Sequence, residues 1–221
     1  RSDSDHGGRM GISKPSQVQA ISELSGPLNA STHAERVAWC RSLNGKELYR
    51  LFELAKDGGP LKSADLVGKL GEVIIHKGKN GVPVFTYFEK RFVQLDGEIG
   101  GYNDGHETAP FGASIYRMIT GPGHYSCYDS PDVPGEVWVD YRTIPKTQCP
   151  DFPTLIDNDS GLRALIFGNM VDIVRRVSEH VAVGDATKSL PPVRPLGIGA
   201  RIGGMLATAP FVLCQPPRTD S

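Results

Sequence analysis

The sequence predicts an α+β fold that is mainly antiparallel β: a small curved sheet or closed barrel, short N-terminal helices, and one amphipathic helix near 161–178. Three observations predict it. The stretch 111–142 holds three short runs rich in β-branched and aromatic residues, Ala113–Thr120, His124–Tyr128 and Glu136–Arg142. Gly121-Pro122-Gly123 and the segment Asp129 to Gly135 separate them, and Gly and Pro at such spacers are reversal signals, so a meander is expected. Finally, 26 glycines and 17 prolines in 221 residues suit many turns rather than a helical bundle.

Taken in order, residues 1–15 read as a polar tail. Within 16–70 the pattern is helical. Val18, Ile21 and Leu24 have helical spacing, with Gly26-Pro27 as the expected stop. Thr32 with Glu35 forms a capping box for a second helix, and Leu48, Leu51, Phe52 and Ala55 make one stripe of a third over about 46–56. The β domain is expected over 71–188. Glu72–Lys77 and Val82–Phe88 flank Gly78-Lys79-Asn80-Gly81, whose Asn-Gly is a hairpin signal. Arg91–Leu95 continues the second strand, and the glycine-rich 96–110 reads as a loop. Leu162, Leu165, Ile166, Met170, Ile173, Val174 and Val177 recur at spacings of three and four, the pattern of a helix packed on the sheet or plugging a barrel. His180–Thr187 alternates like a strand, and Ala209–Cys214 is a short last strand within a Pro/Gly-rich C-terminal extension, 189–221.

Composition excludes several functions. A net charge of −1 gives no basic footprint, so nucleic acid is not an expected partner. No apolar run approaches the roughly 18 residues of a transmembrane segment. The four cysteines, Cys40, Cys127, Cys149 and Cys214, form no close pair, which argues against structural zinc. Scattered thiols are the plain reading; in an oxidising compartment Cys127 with Cys149 is the first pair to suspect. The chain opens on Arg1 with no apolar block in its first 30 residues. A subunit trimmed of a targeting segment on import into an organelle, or a fragment, is expected on that ground.

No catalytic signature is found. G-x-S-x-G and paired-histidine motifs are absent, and Gly197–Gly203 reads as a flexible loop because its glycine spacing fits no nucleotide fingerprint. Neither cofactor nor metal is expected. Alternation places Tyr116 and Met118 on one strand face, and Ile115, Arg117 and Ile119 on the other; Trp138, Asp140 and Arg142 oppose Val137, Val139 and Tyr141. A barrel so lined can hold a small apolar ligand against Tyr116, Met118 and Trp138, oriented by Arg117, Asp140 or a tyrosine hydroxyl such as Tyr125. The plainer alternative is that the aromatics make core and that Arg117 with Asp140 is a cross-strand ion pair.

The run Tyr87-Phe88-Glu89-Lys90-Arg91-Phe92 is similar to the aromatic-rich, KRF-containing strand of the lipocalin-like GXWXG-type proteins of unknown function. The segment from Leu165 through Arg175-Arg176-Val177 to Val183-Gly184 resembles their amphipathic stretch, basic pair and following strand, so the likeness spans roughly 84–188. It implies a small antiparallel barrel of calycin type, a fold that usually binds apolar small molecules and only sometimes catalyses. Two functions from different classes follow. One is a non-catalytic accessory or structural subunit whose N- and C-terminal tails contact other protein chains. The other is a protein that binds, or acts as a cyclase or isomerase on, a lipid, pigment or polyketide-like compound within the barrel.

Overall fold

The computed structural model describes residues 11–81, 86–105, 121–159, 164, 167–189 and 205–217. Eight strands form a closed antiparallel barrel in which each strand pairs with its sequence neighbours: β1 (Ile74–Asn80), β2 (Tyr87–Leu95), β3 (Glu98–Asp104), β4 (Gly123–Asp129), β5 (Val137–Asp140), β6 (Met170–Arg176), β7 (Val181–Ser189) and β8 (Met205–Cys214). β8 pairs with β1 and closes the ring, so the expected barrel is present. β8 lies in the stretch assigned from sequence to a C-terminal extension; it is part of the wall.

Three helices, α1 (Ser22–Ala30), α2 (His33–Ser42) and α3 (Gly45–Leu54), precede the barrel. The capping box at Thr32 and Glu35 is formed, with the Glu35 amide donating to Thr32 Oγ1 and the Thr32 amide donating to Glu35 Oε2. Gly26-Pro27 does not stop α1, which runs through it. Leu24 and Leu28 straddle the pair, both fully buried, and their burial outweighs the hydrogen bond that Pro27 forgoes. The helices pack outside the barrel: Leu24, Leu28, Leu48 and Leu51 share a cluster with Val181, Val183 and Val212 of β7 and β8.

Three further expectations need correction. The helix near 161–178 is absent over Met170–Arg176, which is strand β6. Its apolar spacing of three and four arises because both faces of the strand are covered, while β-branched Val171, Ile173 and Val174 favour extended backbone. Met170 and Val174 are buried as expected, but in the barrel interior; Leu165 and Ile166 lie outside the described residues. Gly168-Asn169 is a turn into β6, with Asn169 at φ 56°. Second, the presumed loop 96–110 contains β3, and Asp96-Gly97, both at positive φ, is the hairpin turn that joins it to β2. Third, Asn80-Gly81 is no turn centre: Asn80 is the last residue of β1, and its amide donates to the Thr86 carbonyl. All four cysteines are free and buried, which agrees with the plain reading of scattered thiols; Cys127 is inside the barrel and Cys149 outside it against Gly100. The run Ala113–Thr120 lies outside the described residues.

One end of the barrel is plugged by residues 61–67. Leu61, Leu66 and Val67 join the interior cluster, the Leu61 amide donates to Gly135, and Ser63 is held by Asp129. At the other end the chain leaves the wall between β1 and β2, β3 and β4, β5 and β6, and β7 and β8.

Candidate functional site in the barrel interior

The side chains that point inward follow from the register. Lys90 faces His76 on one side and Asn103 on the other; Tyr125 faces Gly101; Cys127 faces Val139, which faces Asp172, which faces Ala186. Large rings lie across the glycines of neighbouring strands: Phe88 over Gly78, Tyr125 over Gly101, and Phe211 over Gly184. A Cβ at any of these glycines would collide with the ring, so each Gly–aromatic pair fixes where a ring crosses the interior.

Among these rings sits a buried ion pair. Lys90 Nζ lies 2.7 Å from Asp172 Oδ2, and the two residues are 1 % and 2 % exposed. The ammonium also donates to the Tyr141 hydroxyl and to Asn103 Oδ1 at 3.2 Å, which accounts for its three protons. Tyr141 in turn donates to Asp172 Oδ2 at 3.3 Å. Four rings surround the ammonium, with centroids of Tyr141, Tyr125, Phe211 and Phe88 at 4.9, 5.1, 5.2 and 5.8 Å. Phe167 stacks on Tyr141, closing the array from the β5–β6 connection.

Burial sets the electrostatics. It pushes the Lys90 ammonium below its ordinary range, opposed by Asp172, and raises the Asp172 carboxyl, opposed by Lys90. Each shift favours the neutral form of its own group, against the attraction across the 2.7 Å contact. Neighbouring groups are neutral. Burial drives His76 down to about 4, and its Nε2–H donates to the Leu66 carbonyl at 2.9 Å. Burial likewise raises the Tyr125 phenol and the Cys127 thiol.

The pair is not sealed on all sides. Asp172 Oδ1 is buried and has no hydrogen-bond partner among the described residues. Its cross-strand neighbour Ala186 and the lysine's partner Asn103 both face inward yet stay partly exposed. These two partly exposed residues lie beside Asp172, where β7 presents only a methyl group.

The residues singled out from sequence separate. Tyr125 is interior and fully buried, its hydroxyl donating to the Arg91 carbonyl. Trp138 and Asp140 face outward. Asp140 accepts from Arg142 and from the Tyr128 hydroxyl at 2.5 Å, and Arg142 lies over the Trp138 ring. Burial would raise the Asp140 carboxyl, but those donors outweigh it and hold it low, while Tyr128 is pushed up to about 12. Tyr116, Arg117 and Met118 lie outside the described residues. Lys90, Asp172, Tyr141 and Asn103 were missed as a set. The available signal was a lysine alternating with Phe88 and Phe92 on an otherwise apolar strand face, and an aspartate interrupting Val171–Val174.

Among the described residues no group of His, Cys, Asp and Glu is arranged to hold a metal ion, and no helix is long and apolar enough to cross a membrane. No protein-family model, curated protein or solved structure matches the chain.

Proposed function

We propose that the protein binds a small, largely apolar molecule in its barrel interior, with the Lys90–Asp172 pair as the polar anchor. The observation that carries this reading is the unpartnered Asp172 Oδ1, buried yet beside partly exposed Asn103 and Ala186. A buried carboxylate oxygen left without a donor costs free energy, and a ligand hydroxyl or N–H offsets that cost. The rings of Phe88, Tyr125, Tyr141 and Phe211 supply the apolar contact such sites use. The calycin-type resemblance points the same way, and the lipid, pigment and polyketide-like classes all combine apolar bodies with such donors. Phenol and toluene have nearly the same shape, so their relative affinity for the protein tests the anchor. Tighter binding of phenol is expected; equal affinity, or no binding of either, defeats the reading.

An accessory-subunit role is the second reading. It is favoured by an open groove of about 1070 Å³ outside the barrel, whose lining includes Val67, Ile74, Ile75, Lys77, Glu89 and Pro216. β8 pairs with β1 only over Lys77–Asn80, so Ile74 and Ile75 lack a strand neighbour on that side. Size-exclusion of the native extract tests this role: elution as a 23.9 kDa monomer removes it.

A further inference from the structure

The anchor has a chemistry that simple binding does not need. An aspartate with a serine or asparagine neighbour would suffice to accept a ligand hydroxyl. The interior instead holds a primary amine in hydrogen-bond contact with a carboxylate and a phenol that also touch each other. We propose that Lys90 captures an apolar aldehyde or ketone as a Schiff base, which makes the ligand of the barrel a carbonyl compound. This rests on the binding reading above and specifies the class of molecule bound.

The step balances within the residues present. The Lys90 ammonium passes a proton to Asp172 Oδ2 across 2.7 Å, giving a neutral amine and a carboxylic acid. The amine lone pair attacks the carbonyl carbon, the C=O π pair moves to oxygen, and Tyr141 relays the amine proton to that oxygen, leaving a carbinolamine. Asp172 returns its proton to the carbinolamine hydroxyl, the C–O bond breaks, and water departs. The product is a protonated imine with the Asp172 carboxylate as counter-ion. Aldehyde and ion pair enter, iminium, carboxylate and one water leave, and no oxidant or reductant takes part.

Three features favour this outcome over capture at a surface lysine. Burial already depresses the Lys90 ammonium, which favours the nucleophilic amine. The charge pattern before and after reaction is the same, one cation beside Asp172, so the pocket built for the ammonium also suits the iminium. The aromatic rings limit water, which would otherwise hydrolyse the imine. Asn103 and Ala186, both partly exposed, lie beside the pair.

The test uses the full chain with benzaldehyde and cyanoborohydride, followed by intact mass and peptide mapping. One reduced adduct is expected, on Lys90, formed well ahead of those on exposed Lys56 and Lys146. Phenol in excess should suppress the Lys90 adduct and leave the surface adducts unchanged. Lys90→Arg keeps the cation, cannot form an imine, and should lose the adduct. Should Lys90→Arg not fold, the mapping and the phenol competition on wild-type protein still decide. If phenol binds in preference to toluene while benzaldehyde labels only surface lysines, covalent capture is overturned and the binding reading stands. If phenol does not bind, both fall together.

Discussion

β7 and β8 each present two buried faces, and the two are built differently. Their outer face, under α1–α3, is mostly apolar: Val181, Val183 and Val212 meet Leu24, Leu28, Leu48 and Leu51, with Asp185 of β7 also buried on that face. Their inner face looks across the barrel at Lys90, Asp172, Asn103 and Tyr141. The outer face shows how this chain makes a stable interface when stability is all that is required. Burying Lys90 of β2 and Asp172 of β6 in the interior they line adds desolvation costs that an apolar pair of similar volume avoids. The contrast teaches that the interior charges were not needed to close the barrel, and it is why the proposed site is placed in the interior rather than on the helix-covered side.

The comparison breaks most sharply at Asp172. Asp172→Ala strands a buried ammonium and should cost about 3–5 kcal/mol in urea unfolding. Lys90→Met with Asp172→Leu removes both charges and should be neutral or stabilising by about 1–4 kcal/mol. A double variant as unstable as the single one would mean that the pair is structural. On the outer face, Leu51→Ala should cost about 2–5 kcal/mol through lost burial and a cavity, while phenol affinity stays unchanged because the leucine packs on the far side of the wall. Loss of phenol binding in a folded Leu51→Ala protein would show that the two faces are coupled.

Smaller effects sharpen the picture. Thr32→Ala removes the α2 cap and should cost about 1 kcal/mol by thermal unfolding, again without touching the interior. The smallest effect concerns Asp185 on the outer face of β7. Its carboxyl, ordinarily near 3.8, is pushed up to about 6, first by burial and then by Asp172, with Glu53 adding and Arg175 opposing. The folded state therefore holds this proton more tightly than the unfolded chain. The resulting stability is fully present below about 3.8 and is lost as pH rises through about 6. Asp185→Asn carries no such proton, so its melting temperature should gain on wild type between about pH 4 and pH 7. A constant difference across that range would contradict the assignment.

The legibility of the fold in the sequence followed the same division. The capping box, the leucine stripe of α3 and the alternating runs of β4, β5 and β7 obey local rules, and local rules suffice to find them. β3 was hidden because its glycines read as loop; they are there to admit the Tyr125 ring and the tightly packed neighbouring chain, a reason that exists only across strands. β6 was hidden because Asp172 takes an inward position that alternation reserves for an apolar residue. The residue that obscured the strand is the one on which the proposed site depends. Tyr125 was found because it is aromatic on a strand, whereas Lys90 reads locally as one more solvated cation next to Arg91. Only barrel closure, set by β1 pairing with β8, brings Lys90 of β2 to Asp172 of β6.

The central claim is that the interior charges anchor a ligand, and one titration tests it most directly. Phenol and toluene are titrated into wild-type protein and into the Lys90→Met/Asp172→Leu double variant, each shown to be folded. A hydrogen bond to a charged group is worth about 1.5–3 kcal/mol, so wild type should prefer phenol by about 10- to 100-fold. The double variant should bind toluene at least as well and lose that preference. Equal affinities for phenol and toluene in wild type, or a phenol preference that survives in the double variant, would contradict the account.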